Sequence, residues 1–167
     1  MRLSLNPPGD PDAYPFVHQV RTRFAETDAM GIIHHGALIP YLEEARAAFL
    51  RFAGHPYDEV RAAGIDFTVL ELYVRYRRPL RFDEVVDIHV MVDGPTRTVF
   101  EVGYLLQVVG ETRADAVTVH GAVDGDGRGR RMPGWVAQLA GTRPDRGEGR
   151  ADGATIGWGT PMNRYRM

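Results

Sequence analysis

The segment Phe24–Arg46, FAETDAMGIIHHGALIPYLEEAR, places a carboxylate, two histidines and two glycines directly in front of a helical pattern. A strand is predicted to end at Phe24, and Asp28 falls in the turn that follows it. The first amide N–H groups of a helix have no partner within the helix, so its N terminus can hold an oxyanion. A carboxylate close to such a site is an arrangement suited to hydrolysis.

The helix is predicted to run from residue 36 or 37 to residue 53, with Gly54 as its C-terminal stop. Pro40 is tolerated because it falls in the first turn, where a missing N–H has little effect. Apolar side chains recur with the helical period and share one face: Leu38, Tyr41, Leu42, Ala45, Phe49 and Phe52. A second short helix is predicted over residues 57–64.

Alternating apolar and polar side chains predict strands on both sides of these helices. One strand runs from Phe16 to Phe24, and turn signals at Asp93-Gly94-Pro95 and Gly110-Glu111 separate later ones. The later strands, read as one antiparallel meander, cover residues 66–78, 84–92, 96–109 and 112–123.

This order of elements predicts an α+β fold, a five-stranded antiparallel sheet wrapped around one long helix. Residues 1–15 form an N-terminal arm, residues 16–124 the domain and residues 125–167 a largely mobile extension, with some structure at Trp135–Leu139. An open edge of such a sheet favours pairing with a second subunit.

Composition excludes several classes of site. The chain has no cysteine, which rules out disulfides, thiolate zinc ligands and cysteine nucleophiles, and its one serine is Ser4 in the arm. A net charge of −2 gives no reason to expect nucleic acid or an anionic membrane as partner. No signal-peptide pattern and no apolar run of about 18 residues is present, so the predicted location is the cytoplasm.

Two other motifs are weaker than they first look. His34 and His35 are poor joint metal ligands because adjacent side chains diverge, so no metal is predicted. The Asp124-Gly125-Asp126 sequence lacks the final acidic ligand of a calcium loop, since residue 135 is Trp, and is interpreted as a turn.

The motif Thr27–His35, together with Tyr41–Arg46, resembles the hotdog-fold acyl-CoA thioesterases, in the branch that contains 4-hydroxybenzoyl-CoA thioesterase and the YbgC-type enzymes. The resemblance covers residues 16–124. It implies a hotdog fold and hydrolysis of an acyl-CoA thioester to free acid and coenzyme A, with no cofactor beyond the coenzyme A of the substrate. It also implies a homodimer with active sites between its subunits, often paired into a homotetramer.

By position, Asp28 matches the catalytic aspartate of that branch, and His35 or the adjacent backbone N–H matches the group that polarises the thioester carbonyl. Gly31 matches a glycine that lets the loop turn close to the substrate. His34 stands where an aromatic residue is common. A second hotdog branch uses a glutamate inside the helix after His-Gly-Gly, and Glu44 after His35-Gly36-Ala37 partly follows that pattern.

Each assignment has a structural alternative. Asp28 could be only a turn residue, the usual role of Asp in such a segment, and His35 could serve only in packing at the helix entry. Gly36 and His34 are candidates for substrate contact. Three arginines are candidates for the coenzyme A phosphates, with a solvated position as the alternative: Arg81 and Arg97 near strand ends, and Arg130 in the glycine-containing loop that follows Asp124.

Two other functions remain open from the sequence alone. One is a hotdog hydratase or dehydratase. The motif associated with such enzymes is Asp-x4-His, whereas the residue five positions after Asp28 is Ile33. The other is an acyl-CoA-binding protein without turnover. The acyl group itself is not specified by the sequence.

Overall fold

The computed structural model describes residues 5–140, and the predicted mobile extension from residue 141 onward lies outside them. Five strands and three α-helices make up the fold, in agreement with the predicted α+β class. In chain order they are β1 (Phe16–Arg21), α1 (Leu38–Phe52), α2 (Tyr57–Ala62), β2 (Asp66–Tyr76), β3 (Val85–Asp93), β4 (Val99–Val108), β5 (Glu111–Val123) and α3 (Gly134–Leu139).

All five strands form one antiparallel sheet in the order β1-β3-β4-β5-β2. The predicted four-strand meander is wrong in one respect, because β2 pairs with β5 at the far edge and not with β3. The connector of residues 77–84 carries the chain across the end of the sheet. Its Leu80 is buried, and the Leu80 carbonyl accepts the Ile33 N–H at 2.8 Å. The connector is thereby tied to the segment that precedes α1.

The long helix packs against the inner face of the sheet with the predicted side chains. Leu38, Tyr41, Leu42, Ala45 and Phe49 are buried, and they join the inward side chains of β3, β4 and β5 in one core. Phe52 differs, since it is 69% exposed, although its ring lies 5.1 Å from that of Phe16 on β1. Pro40 falls in the first turn of α1, as predicted.

β1 ends three residues earlier than predicted. The Glu26 carboxylate accepts the backbone N–H of Arg23 at 2.8 Å. This bond turns the chain into a single 3-10 turn, Phe24–Glu26, so the alternating pattern continues past the last paired residue. Side-chain alternation could not reveal that capping contact.

The arm crosses the outer face of the sheet. The Leu5 side chain lies against Gly103 of β4, where an added Cβ would come within 2.8 Å of Leu5 Cδ2. The Leu5 N–H donates to the Glu101 carboxylate at 2.7 Å, and the Tyr14 hydroxyl donates to the Pro8 carbonyl at 2.8 Å. The Leu5 contacts hold the start of the arm against β4, and the Tyr14–Pro8 bond closes the rest of the arm on itself.

The first part of the predicted extension is ordered against the domain. The Trp135 ring stacks on His55 at 3.9 Å, and Val136 of α3 is buried in the core. Ala140 forms an isolated bridge with Val92 of β3. Within residues 5–140, no helix is long and apolar enough to cross a membrane.

Candidate active site

The loop that carries Asp28 is closed on itself by backbone hydrogen bonds. Thr27 and Ile33 form an isolated bridge, and the Asp28 N–H donates to the Ile32 carbonyl at 2.8 Å. The Gly31 N–H donates to the Asp28 carbonyl at 2.9 Å with φ +70, a conformation that glycine adopts without a Cβ clash. The loop therefore needs glycine at residue 31 for its own shape.

The Asp28 carboxylate is fixed through one oxygen. Asp28 Oδ1 accepts the Met30 N–H at 2.8 Å. This bond forms an Asx turn, the structural role considered for Asp28 in the sequence. Asp28 Oδ2 has no hydrogen-bond partner among residues 5–140. Asp28 also lines a pocket of about 400 Å³, called here the Asp28 pocket. The turn thus orients a carboxylate whose second oxygen is available for chemistry.

The amides at the helix entry are almost all occupied. The N–H groups of Ile33, His34 and Ala37 donate to the carbonyls of Leu80, Glu26 and His34. The Gly36 N–H donates to His34 Nδ1 at 3.1 Å. Of the amides of residues 33–37, only that of His35 lacks an acceptor among the described residues. His35 lines the same pocket as Asp28.

Tyr76 fixes the His35 backbone from the neighbouring strand. Its hydroxyl donates to the His35 carbonyl at 3.0 Å, and the two rings stand perpendicular with centroids 6.4 Å apart. Burial raises the pKa of the Tyr76 hydroxyl, which keeps it protonated and able to donate. The end of β2 therefore holds the carbonyl side of His35, whose own amide N–H belongs to the preceding peptide group.

Three arginines line the Asp28 pocket, each with a carboxylate partner. Arg77 Nε lies 2.6 Å from Asp115, Arg78 pairs with Glu111, and Arg113 lies 3.2 Å from Glu84. The paired arginines make the rim of the pocket polar. Its floor is apolar, with Ile33, Leu38 and Leu80.

The Glu26 carboxylate links the start of the Asp28 loop to α1. Tyr41 and Arg23 both donate to its carboxylate. Burial of the Glu26 carboxyl raises its pKa, but the hydrogen bonds from Arg23 and Tyr41 outweigh burial and hold the pKa below its ordinary value. Glu26 remains charged and anchors the base of the loop to the first turn of α1.

Comparison with known proteins identifies the family. The thioesterase-like superfamily matches residues 22–140, which include the loop, the helix and all but the first strand of the sheet. The chain belongs to this superfamily. The predicted class of enzyme, a thioester hydrolase of the branch that includes YbgC, is confirmed.

Similar proteins agree with this assignment. A protein of Aquifex aeolicus, provisionally named an esterase, is 39% identical over 92 residues, which are 55% of this chain and 72% of its own length. The acyl-CoA thioester hydrolase YbgC of Escherichia coli O157:H7 is 29% identical over 73 residues, 44% of this chain and 54% of its own. The crystal structure of a hypothetical protein from Aquifex aeolicus has 35% sequence identity and a TM-score of 0.71, covering 75% of this chain and 98% of its own. The predicted hotdog fold is confirmed.

The structure of this thioesterase separates the two candidate acids. Glu44 is 61% exposed on α1 and pairs with His18 Nε2 of β1 at 3.0 Å. It is not among the residues that line the Asp28 pocket. His34 is also outside this lining, and its ring lies against His35 with centroids 4.1 Å apart while Nδ1 caps the Gly36 amide.

The arginines selected from sequence do not line the Asp28 pocket within one subunit. Arg81 lies in the connector, where its N–H donates to Glu84 at 2.8 Å. Arg97 and Arg130 lie at the opposite end of the sheet. The Arg97 carbonyl accepts the Met132 N–H, and the Arg130 N–H donates to the Ala122 carbonyl. Ala122 is nine residues along β5 from Arg113, about 30 Å away.

Sequence reasoning missed all three arginines that line the pocket, Arg77, Arg78 and Arg113. Tyr76-Arg77-Arg78-Pro79 stands at the end of β2, and its position next to Asp28 follows from the crossing of β2 to the far edge. A basic pair before a proline was the available signal. No group of three or more His, Asp or Glu side chains placed to hold a metal ion occurs in the described part of the chain.

Proposed function

We propose that this thioesterase hydrolyses acyl-CoA thioesters to a free acid and coenzyme A, with Asp28 as the catalytic carboxylate. The observation that supports this most is the shared lining of one pocket by Asp28 and His35, whose Oδ2 and amide N–H, respectively, have no hydrogen-bond partner within residues 5–140. An acceptor for a proton and a donor for an oxyanion are the two groups that acyl transfer to water requires.

In the proposed mechanism, the thioester carbonyl oxygen accepts the His35 N–H, which stabilises the negative charge that develops when the carbonyl carbon is attacked. Asp28 either takes a proton from the attacking water or attacks the carbon itself and forms a mixed anhydride that water then hydrolyses. In both routes the C–S bond breaks and coenzyme A leaves as the thiol after protonation.

A single turnover in heavy-oxygen water separates the two routes. If Asp28 attacks and water then opens the mixed anhydride at the Asp28 carbonyl, the label appears in the Asp28 carboxylate, and its presence there demonstrates the anhydride route. If Asp28 activates water, the label enters only the product acid. Mass spectrometry of the peptide that contains Asp28 reads the difference.

Coenzyme A is proposed to enter as part of the substrate, with no separate cofactor. Arg77 and Arg78 are the two more exposed of the three arginines that line the Asp28 pocket, and guanidinium groups bind phosphate well. Arg81, Arg97 and Arg130 lie outside the lining in one subunit. They would reach a nucleotide only from a different direction or from a second subunit.

A homodimer is proposed from the free edge of the sheet. β2 has no strand on its outer side in residues 5–140, and five of its large apolar side chains are between 40% and 51% exposed. They are Val69, Leu70, Leu72, Tyr73 and Tyr76. Pairing with β2 of a second copy would cover this edge next to the Asp28 pocket. A tetramer built from two such dimers is the further prediction that the resemblance implies.

Thiol release from a panel of acyl-CoA thioesters tests the proposed function. We expect Asp28→Asn to lower kcat by roughly a hundredfold or more. Glu44→Gln is the matched control, because it makes the same carboxylate-to-amide change at an exposed position, and it should stay within about twofold of wild type.

Three outcomes contradict the proposal. Loss of hydrolysis in Glu44→Gln with activity retained in Asp28→Asn would reassign the catalytic acid. A change in enoyl absorbance without thiol release would indicate a hydratase. Binding of acyl-CoA without any turnover by the wild-type protein would indicate a binding protein.

A further inference from the structure

A cavity of about 430 Å³ lies on the outer face of the sheet, between the arm, the end of β2 and the start of β5. Residues 6–9 of the arm form one wall, and the buried Leu105 of β4 forms the floor. We call this space the arm cavity. Its volume falls within the range of small-molecule sites, about 300–1,000 Å³. The arm therefore closes one side of a space large enough for a ligand.

The lining of the arm cavity carries more positive than negative charge. Three arginines and two acids line it: Arg75, Arg77, Arg78, Glu111 and Asp115. Both acids already have arginine partners, since Asp115 Oδ1 lies 2.6 Å from Arg77 Nε and Glu111 pairs with Arg78. The Asp115 side chain is also only 9% exposed. The carboxylates thus fix the arginines and leave the cavity with a net positive charge.

The arginines keep N–H groups that no acceptor within residues 5–140 uses. The Arg77 side chain donates only through Nε and the Arg78 side chain only through Nη1. Arg75 Nη1 lies 3.7 Å from Asp115 Oδ2, which is longer than a hydrogen bond. The three arginine side chains are 43%, 46% and 62% exposed, so a ligand can reach these donors. Guanidinium groups with free N–H donors bind phosphate oxygens well.

Two residues connect the arm cavity with the Asp28 pocket. Arg77 and Arg78 line both spaces, which lie on the two faces of the sheet at the end of β2. Their backbone N–H groups both donate to the Arg113 carbonyl, at 2.8 and 3.0 Å, so the regular pairing of β2 with β5 ends here. Arg75 lines the arm cavity but not the Asp28 pocket. A ligand that starts at Asp28 and passes Arg77 and Arg78 therefore reaches the arm cavity.

A molecule that fills both spaces has an apolar reactive end and an anionic far end. The apolar floor of the Asp28 pocket suits an acyl group. The arm cavity combines its arginines with apolar surface from Leu105, Pro7 and Pro8, which suits phosphates attached to a planar ring. An acyl-CoA thioester has this form, because a flexible chain joins its thioester to phosphates and adenine.

We propose that the arm cavity binds the phosphate-bearing nucleotide end of the coenzyme A thioester, with Arg75 as a phosphate ligand outside the Asp28 pocket and residues 6–9 as the outer wall. This proposal rests on the proposed function for the identity of the ligand, whereas the cavity and its cations are features of this chain alone. It makes the N-terminal arm part of the substrate site.

Two thioesters with the same acyl group test the contribution of the nucleotide. One is the acyl-CoA, and the other is the acyl-pantetheine, which lacks the phosphates and the adenine. We expect kcat/KM of the wild-type protein to be higher for acyl-CoA by about tenfold or more. Equal kcat/KM values would overturn the proposal, because the nucleotide would then contribute no binding.

Arg75→Met tests the assigned phosphate ligand. It should lower kcat/KM for acyl-CoA by about fivefold or more and leave kcat/KM for acyl-pantetheine within about twofold of wild type. Asp115 keeps Arg77 as its partner, so this variant leaves no buried carboxylate unpaired. Arg61→Met is the matched control, since Arg61 is an exposed, ion-paired arginine of α2 outside both linings. Equal losses for both thioesters in Arg75→Met would refute the assignment.

Further variants test where the nucleotide lies. Asn6→Asp adds a negative charge to the arm side of the cavity and should lower kcat/KM for acyl-CoA more than for acyl-pantetheine. Arg97→Met and Arg130→Met change arginines at the opposite end of the sheet and should keep the wild-type ratio of the two values. If either of them abolishes the preference for acyl-CoA while Arg75→Met retains it, the proposal is wrong.

Binding without turnover separates failure of this site from failure of the proposed function. The probe is the adenosine bisphosphate that forms the nucleotide end of coenzyme A, measured by calorimetry. We expect it to bind the wild-type protein and to show a Kd about fivefold higher or more in Arg75→Met. That result without thiol release from any acyl-CoA would refute the function and retain the site. No binding, or equal Kd values in the two proteins, would refute the site whatever the hydrolytic activity.

Discussion

Buried His120 should make the stability of this thioesterase depend on pH in a defined direction. Burial, with Arg46 nearby, lowers the pKa of the folded-state ring from 6.5 to about 3. Between these two values the unfolded chain binds a proton that the folded protein does not. Stability contributed by the neutral ring is therefore complete above pH 6.5 and is lost as the pH falls toward 3.

The size of the effect follows from the two pKa values. Each pH unit between them changes the free energy of unfolding by about 1.4 kcal/mol. Acidification from about pH 7 to about pH 4.5 should therefore remove about 2–3 kcal/mol through this one group. His120→Gln cannot take up the proton and should lose that much less over the same interval.

Urea unfolding of wild type and His120→Gln at the two pH values measures the difference directly. His18→Gln, at a partly exposed histidine of β1, controls for the general effect of removing a histidine. A difference in pH dependence below about 1 kcal/mol between wild type and His120→Gln would refute the assignment of a neutral, desolvated ring.

Two further predictions concern turns and the arm. Val109 is 96% exposed and has φ 49 in the two-residue turn between β4 and β5. Val109→Asn should therefore raise the free energy of unfolding by about 1 kcal/mol, measured as an increase in Tm. An unchanged or lower Tm would contradict this. Gly103→Ala would place a Cβ 2.8 Å from Leu5 Cδ2, so limited proteolysis should cut the arm faster while the Tm of the domain stays nearly constant. Equal cleavage rates would show that Leu5 does not depend on Gly103.

The helix and the loop before it could be predicted because their signals are local. The apolar face from Leu38 to Phe49 follows from the helical period, and Asp28 follows from turn chemistry. The turn between β4 and β5 was predicted one residue late, at Gly110-Glu111, because a β-branched residue such as Val109 rarely adopts positive φ.

The remaining features depend on contacts between distant segments. β2 crosses to the far edge through a connector whose path is fixed by Leu80 and Ile33, and periodicity within β2 carries no information on its partner. The same crossing brings Arg77 and Tyr76 to Asp28. Arg46 follows Glu43 by three residues, a spacing typical of a solvated surface pair, but its side chain is only 4% exposed. Spacing of three along a helix is the same for a solvated pair and a buried one.

The position of the arm limits how subunits can associate. Residues 5–14 occupy the outer face over β4, with Leu5 seated on Gly103 and anchored to Glu101. If two dimers stacked through these outer faces, residues 5–14 would either lie between the two dimers or be displaced. Deletion of residues 1–14 is therefore the change that should most readily alter the number of subunits in solution.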